Sequence, residues 1–125
     1  IDTNFLLIPF QFKIDIFSEL HYLIETNFTP VIPSGVVDEL KKLSKGKGKE
    51  GMAARFALKV LEVYSKNNKL KILKSEGLVD DWILEKVKSK GDFIVCTNDT
   101  PLRTKLKRAR VPVITMKSRS KVGFI

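Results

Sequence analysis

The apolar positions of this chain change their spacing again and again, and each change marks an element. From 15 to 26, Ile16, Leu20, Leu23 and Ile24 recur at helical spacing. "TPVIPS" (29–34) is a short extended run that stops at Pro33, and Ser34 stands where the N-cap of a second helix belongs, ahead of Val36, Val37, Leu40 and Leu43. A basic, glycine-punctuated stretch, "SKGKGKEG" (44–51), predicts a loop. Helical spacing returns from Met52 to Ser65, with Ala53, Phe56, Ala57, Val60 and Val63 facing inward. "LKIL" (70–73) predicts a strand, Asp80 to Lys88 a helix, and "FIVCT" (93–97) a buried strand. Asp99 to Arg110 predicts a helix with Pro101 at its start, where proline is tolerated. "VPVITM" (111–116) is a last strand; "KSRSKVGFI" (117–125) has no clear period.

Strand and helix alternate throughout, which predicts one α/β domain over 1–125 with a mostly parallel sheet. Ile1-Asp2 reads as the end of a first strand, one expected to be cut short because the chain opens on Ile1 rather than Met. In such sheets ligands bind beyond the carboxyl ends of the strands, at a switch in strand order. Two carboxylates stand at strand exits, Asp2 and Asp99. Glu39 and the Asp80-Asp81 pair lie in helices that flank the same edge.

Each acid also has a structural reading. Asp80 and Asp81 suit the first turn of a helix, where they complement its dipole. Asp99 is placed to be an N-cap, and Glu39 to be a solvated helix position. For Asp2 the sequence offers no helix to cap. Together, several carboxylates at one sheet edge repel one another unless a proton or a hard cation intervenes. Mg²⁺ suits carboxylate and water oxygens, and a metal there would serve phosphodiester hydrolysis.

Charge strengthens that reading. The 125 residues hold 23 Lys plus Arg against 14 Asp plus Glu, a formal charge of +9, which favours an anionic partner and above all nucleic acid. A lysine-rich solvated surface would give the same total. Lys41, Lys42, Lys45, Lys47 and Lys49 follow Glu39, and Arg103 and Lys107 follow Asp99 at helical spacing with Arg110 close by. These are the candidate RNA-contacting cations. The lone Cys96 lies in an apolar strand and reads as a small buried hydrophobe, which fits a cytoplasmic setting. One His (His21) and one Cys make a zinc site a poor fit. No run approaches the length of a membrane span. "FLLIPFQF" (5–12) is expected to pack partly in the core, with an exposed remainder available for self-association.

"DTNFLL" (2–7), "PSGVVDELKKL" (33–43), "DDWILEKV" (80–87) and "CTNDTPLRTKLKRARVPVI" (96–114) together resemble the PIN-domain nucleases, in order and over nearly the whole chain. The flavour is that of the archaeal branch similar to the small-subunit processome nuclease and the VapC-type toxins. The resemblance implies a Rossmann-like, three-layer fold whose five-stranded sheet has the order 3-2-1-4-5. It implies hydrolysis of single-stranded RNA with one or two Mg²⁺ or Mn²⁺ ions, leaving 5′-phosphate and 3′-hydroxyl ends. By position, Asp2, Glu39, Asp81 and Asp99 match the acidic quartet; Asp80 competes with Asp81, which is preferred because "DWIL" follows it. Thr3, Asn4 and Thr97 match the small polar residues that orient ligands or waters. Implied partners are RNA, single-stranded or structured, and an antitoxin or a ribosome-assembly protein, with homodimers also frequent. The alternative is a non-catalytic RNA-binding module of ribosome maturation. An aspartyl phosphatase is disfavoured, because Asn4 stands where its second acid belongs.

Overall fold

The computed structural model describes residues 1–12, 14–89, 91–118 and 121–125, the first stretch without the side chains of 11 and 12. Six helices and five strands alternate among them. In chain order they are α1 (Thr3–Phe12), α2 (Ile16–Leu23), β1 (Val31–Pro33), α3 (Ser34–Ser44), α4 (Gly48–Lys66), β2 (Lys71–Leu73), α5 (Val79–Ser89), β3 (Val95–Cys96), α6 (Thr100–Arg108), β4 (Val113–Ser118) and β5 (Lys121–Phe124).

The α/β alternation is present, but the single five-stranded sheet is not. β1 and β2 pair in parallel as one sheet, and β3, β4 and β5 form a second, with β3–β4 parallel and β4–β5 antiparallel. Ile1 and Asp2 lie between the two. The Ile1 amine donates to Val31 O (3.2 Å) and Asp2 N–H donates to Cys96 O (3.1 Å). A ladder needs successive rungs, and one bond to each side does not make a strand of these two residues. The tail that lacked a period becomes β5, paired from Ile114↔Phe124 to Ser118↔Lys121.

Helix α1 starts at Thr3, directly after Asp2. Its apolar run hides its period because Phe5, Leu6, Leu7 and Ile8 are all buried, four in succession. The packing expected of positions 11 and 12 lies outside the described residues. Phe10 meets Phe56 of α4 with ring centroids 5.9 Å apart. Met52, Phe56 and Val63 of α4 are largely exposed, so the inward facing expected of Phe56 and Val63 is not found; Ala53, Ala54, Ala57 and Leu61 form the buried face instead.

The stretch 44–51 is a tight corner rather than a long loop. α3 runs to Ser44 and α4 begins at Gly48. Arg55 donates to the carbonyls of Ser44 (2.6 Å) and Gly46 (3.2 Å), tying down the C-terminus of α3. A Cβ on Gly51 would fall 2.1 Å from Gly46 O, so this crossing tolerates only glycine. Among the described residues no helix is long and apolar enough to cross a membrane.

Candidate active site

The strand exits converge on Thr97, which is fully buried just after β3. Its hydroxyl donates to Asp2 Oδ2, and its oxygen accepts the Asp99 backbone N–H at 3.0 Å. One side chain therefore fixes the separation of the two strand-exit acids. Asp2 Oδ1 also accepts from Phe5 N–H at 2.9 Å, which makes Asp2 the N-cap of α1.

This reverses two expectations. Asp2, for which no cap was legible, caps a helix. Asp99, readable as only a cap, takes the N-cap place of α6 but makes no side-chain capping bond, so its carboxylate is spared for other use.

Helices α3 and α5 supply the other acids. At their meeting point a Cβ on Gly35 would lie 2.9 Å from Val79 Cγ2 and 3.0 Å from Ser75 Oγ, so the two helix starts touch. Ser34 is not the N-cap of α3; Pro33 holds that place. Ser75, from the loop before α5, accepts Gly35 N–H on its hydroxyl (2.8 Å) and donates its own N–H to Ser34 Oγ (2.8 Å). Ser75 thus satisfies the start of α3 from 40 residues away, a partner no local pattern reveals. On α3, Glu39 accepts from Thr3 Oγ1 at 2.5 Å. The sequence placed Thr3 near the ligands; the structure makes it the tether of Glu39. Asn4 is exposed.

Of the two adjacent aspartates, the structure brings Asp80 to the cluster. Its side chain is hydrogen-bonded to Asp99, and it feels the charges of Asp99, Asp2 and Glu39. The preference was for Asp81; the structure sets Asp80 beside Asp99 instead, for a geometric reason. Val79, Ile83 and Val87 are the buried face of α5. With about 100° between successive residues, Asp80 falls roughly 60° from the centre of that face and Asp81 roughly 160°. Asp80 flanks the core and Asp81 points away from it; the spacing of 79, 83 and 87 was the signal that distinguishes them.

The electrostatics follow from this crowding. Burial raises the Asp2 carboxyl above its ordinary value, partly offset by the bonds from Thr97 and Phe5, while the charge of Asp99 raises it further. Asp80 is pushed up to about 6, by burial first, then by its hydrogen bond to Asp99 and the charges of Asp99, Asp2 and Glu39. Among the described residues the one salt bridge is Lys66–Glu62, at 3.1 Å on the surface of α4, and the charge of the Ile1 ammonium partly offsets the rise at Asp2.

Four carboxylates are a hard-oxygen donor set, the kind that suits Mg²⁺ or Mn²⁺. As they stand, no three acidic, histidine or cysteine side chains among the described residues close around a common point. Asp80 and Asp99 lie side by side, and a cation would compete with a proton for the same oxygens.

Arg103 lies one turn past Asp99 and is partly buried, with a covered Nε that has no hydrogen-bond partner. Lys107 and Arg110 are exposed on the same side of the chain, and Lys41, Lys42, Lys45, Lys47 and Lys49 are exposed at and before the α3–α4 corner. Cys96 is buried, its thiol pushed up to about 11 by that burial. His21 packs against Phe28, centroids 4.9 Å apart, away from the acids.

Comparison with known proteins places this geometry. A sequence model described as a PIN like domain matches residues 1–119. The chain is 36% identical over 121 residues to ribonuclease VapC4 of Methanocaldococcus jannaschii, covering 94% of this chain and 88% of that one. It is 32% identical over 123 residues to ribonuclease VapC9 of Archaeoglobus fulgidus, covering 98% and 84%. The rRNA-processing protein fcf1 of Schizosaccharomyces pombe is 28% identical over 117 residues, 93% of this chain but 57% of its own length. Among solved structures, the PIN domain endonuclease Utp24 superposes with a TM-score of 0.79 at 27% identity, over 98% of this chain and 86% of that one.

Proposed function

The chain belongs to the PIN-like domain family, and on that footing we propose that it is a Mg²⁺- or Mn²⁺-dependent endoribonuclease that cuts single-stranded RNA. The observation that supports this most is the gathering of Asp2, Asp99 and Asp80, with Asp2 and Asp99 joined through Thr97, Asp80 beside Asp99 and the charge of Glu39 felt at Asp80, and with no salt bridge to any of them among the described residues. Structural acids on a protein of charge +9 would be expected to find lysines or arginines. Among the described residues these four form no salt bridge.

Asp2, Asp99, Asp80 and Glu39 would hold one or two cations. When bound, a divalent cation neutralises charge on a phosphoryl oxygen and lowers the pKa of water beside it. The chain's own groups do the rest. Thr97 and the Phe5 N–H orient Asp2 and partly offset the rise that burial imposes on its carboxyl. Thr3 steadies Glu39 from the first turn of α1. Asp80, its carboxyl pushed up to about 6 by burial and by its neighbours, would join Asp99 in holding the cation. Arg103, with Lys107 one turn on, would contact RNA phosphates next to the acids; Lys42, Lys45, Lys47 and Lys49 would extend that contact along the α3–α4 corner.

The names of the relatives suggest two settings, a ribonuclease of the VapC kind or rRNA processing, with an antitoxin or an assembly protein as the respective partner. The test is cleavage of a single-stranded RNA panel with Mn²⁺, with EDTA, and with Asp2→Asn/Asp99→Asn protein. Cleavage that needs both the ion and the two acids supports the reading. RNA binding without cleavage under every condition would replace it with a non-catalytic RNA-binding module.

A further inference from the structure

The parallel ladder between β3 and β4 stops abruptly, and the residue that stops it is not one of the acids. Thr97 N–H donates to Ile114 O at 3.0 Å, and the last paired residues are Cys96 and Ile114. In a regular parallel ladder the next bond would run from Met116 N–H to the carbonyl of Thr97. That bond is replaced. Met116 N–H donates instead to the side-chain Oδ1 of Asn98, at 2.8 Å. The same oxygen accepts from the Thr115 hydroxyl at 2.9 Å, and Thr115 is buried. Because a backbone N–H only donates, the amide atom facing Met116 is the oxygen.

The consequence is geometric. An amide side chain stands in for the next rung of the sheet, so Met116 is satisfied while the main chain leaves the ladder one residue early. That departure lets the Asp99 N–H fold back onto Thr97 Oγ1 at 3.0 Å and aims the uncapped Asp99 carboxylate at Asp80 rather than along the sheet. A chain that stayed paired through Asn98 would carry Asp99 past the cluster.

We propose that Asn98 is a positioning residue, a side-chain rung that peels the chain off β4 so that Asp99 is presented to the cation site. The function of this rung rests on the nuclease reading above; its structural part does not. Asn98→Ala deletes both bonds, and Thr115→Val deletes one of them from a neighbouring strand without touching the acids. Asn98→Asp keeps two acceptor oxygens in the same place.

The experiment pairs amide hydrogen exchange with Mn²⁺ titration by calorimetry on the whole chain. Asn98→Ala is expected to lose protection at the Met116 amide and to bind Mn²⁺ about tenfold more weakly, the scale of losing an outer support of a metal ligand. Thr115→Val should weaken binding a few-fold, and Asn98→Asp should restore both Met116 protection and Mn²⁺ binding. A merely structural role would move melting without moving affinity in the folded protein. Unchanged Met116 exchange, or wild-type Mn²⁺ affinity in Asn98→Ala, would overturn the proposal. If Asn98→Ala does not fold, Thr115→Val against Asn98→Asp makes the same comparison. If wild-type protein binds no Mn²⁺, the cation reading falls by itself. The Asp99 amide then decides: faster exchange in the Asn98 or Thr115 variant keeps the positioning claim, and unchanged exchange ends it.

Discussion

Asp80→Asn should make the cation-free protein more stable and the enzyme worse. In the folded chain the Asp80 carboxyl is raised from 3.8 to about 6, first by burial, then by its bond to Asp99 and the charges of Asp99, Asp2 and Glu39. A folded pKa above the unfolded one means that the native state holds the proton more tightly. Its contribution is therefore full below pH 3.8 and is lost as pH rises through about 6. Above that, an ionised Asp80 repels its neighbours. A shift of about two units corresponds to at most ~3 kcal/mol. Asp80 is largely exposed, and solvent screening brings this to the order of 1 kcal/mol. For a domain of this size that is about 3–5 °C in melting temperature. Asparagine keeps a donor for Asp99 and removes the charge. Calorimetric melting in EDTA at about pH 8 should show the variant above wild type by that margin, and at about pH 4 the two should converge. Saturating Mn²⁺ should reverse the order, since ligand at a hundred times its Kd adds about 2.7 kcal/mol to a protein that binds it and less to one lacking a ligand. A variant less stable than wild type in EDTA at the higher pH, or equal stabilisation of both by Mn²⁺, would refute the reasoning.

Three other substitutions probe the geometry. Asp81→Asn should leave RNA cleavage within about twofold of wild type, while Asp80→Asn should cost on the order of a hundredfold in turnover; equal losses would return Asp81 to the site. Gly35→Ala places a Cβ 2.9 Å from Val79 Cγ2 and 3.0 Å from Ser75 Oγ. Urea unfolding should report a loss of about 1–3 kcal/mol, and Mn²⁺ affinity should fall with it as α3 and α5 move apart; a stable variant of full affinity would show that the contact is slack. Arg103→Ala should weaken RNA binding across all sequences and lower the slope of log K against log salt by about 1. An unchanged slope would remove Arg103 from the phosphate contacts.

Much of this fold was legible because the helices that build the site have simple buried faces. Val36 and Leu40 of α3, Val79, Ile83 and Val87 of α5, and Leu102 and Leu106 of α6 recur every four residues and are buried. The acidic positions followed from the alternation of strand and helix. What was hidden had a physical cause in each case. α1 was obscured because four consecutive residues are buried, which erases the helical period, and with it went the cap made by Asp2. The α3–α4 corner read as a loop because glycine usually breaks helices, whereas Gly51 is needed where Gly46 O passes. β5 has no period of its own and exists through its pairing with β4. Thr3 to Glu39, Ser75 to Gly35 and Asn98 to Met116 join residues from different elements, and no local rule predicts such pairs. The rotation that the apolar positions of α5 impose already separates Asp80 from Asp81, setting Asp80 nearer the buried face.

The central claim is that Asp2, Asp99, Asp80 and Glu39 together hold a divalent cation. Anomalous diffraction from crystals soaked in Mn²⁺ tests it most directly. The account predicts a peak bounded by Asp2, Asp99, Asp80 and Glu39, gone in Asp2→Asn/Asp99→Asn protein, with the Asp80–Asp99 hydrogen bond opened. A peak elsewhere, or an empty cluster with the Asp80–Asp99 bond intact at neutral pH and high Mn²⁺, would contradict it.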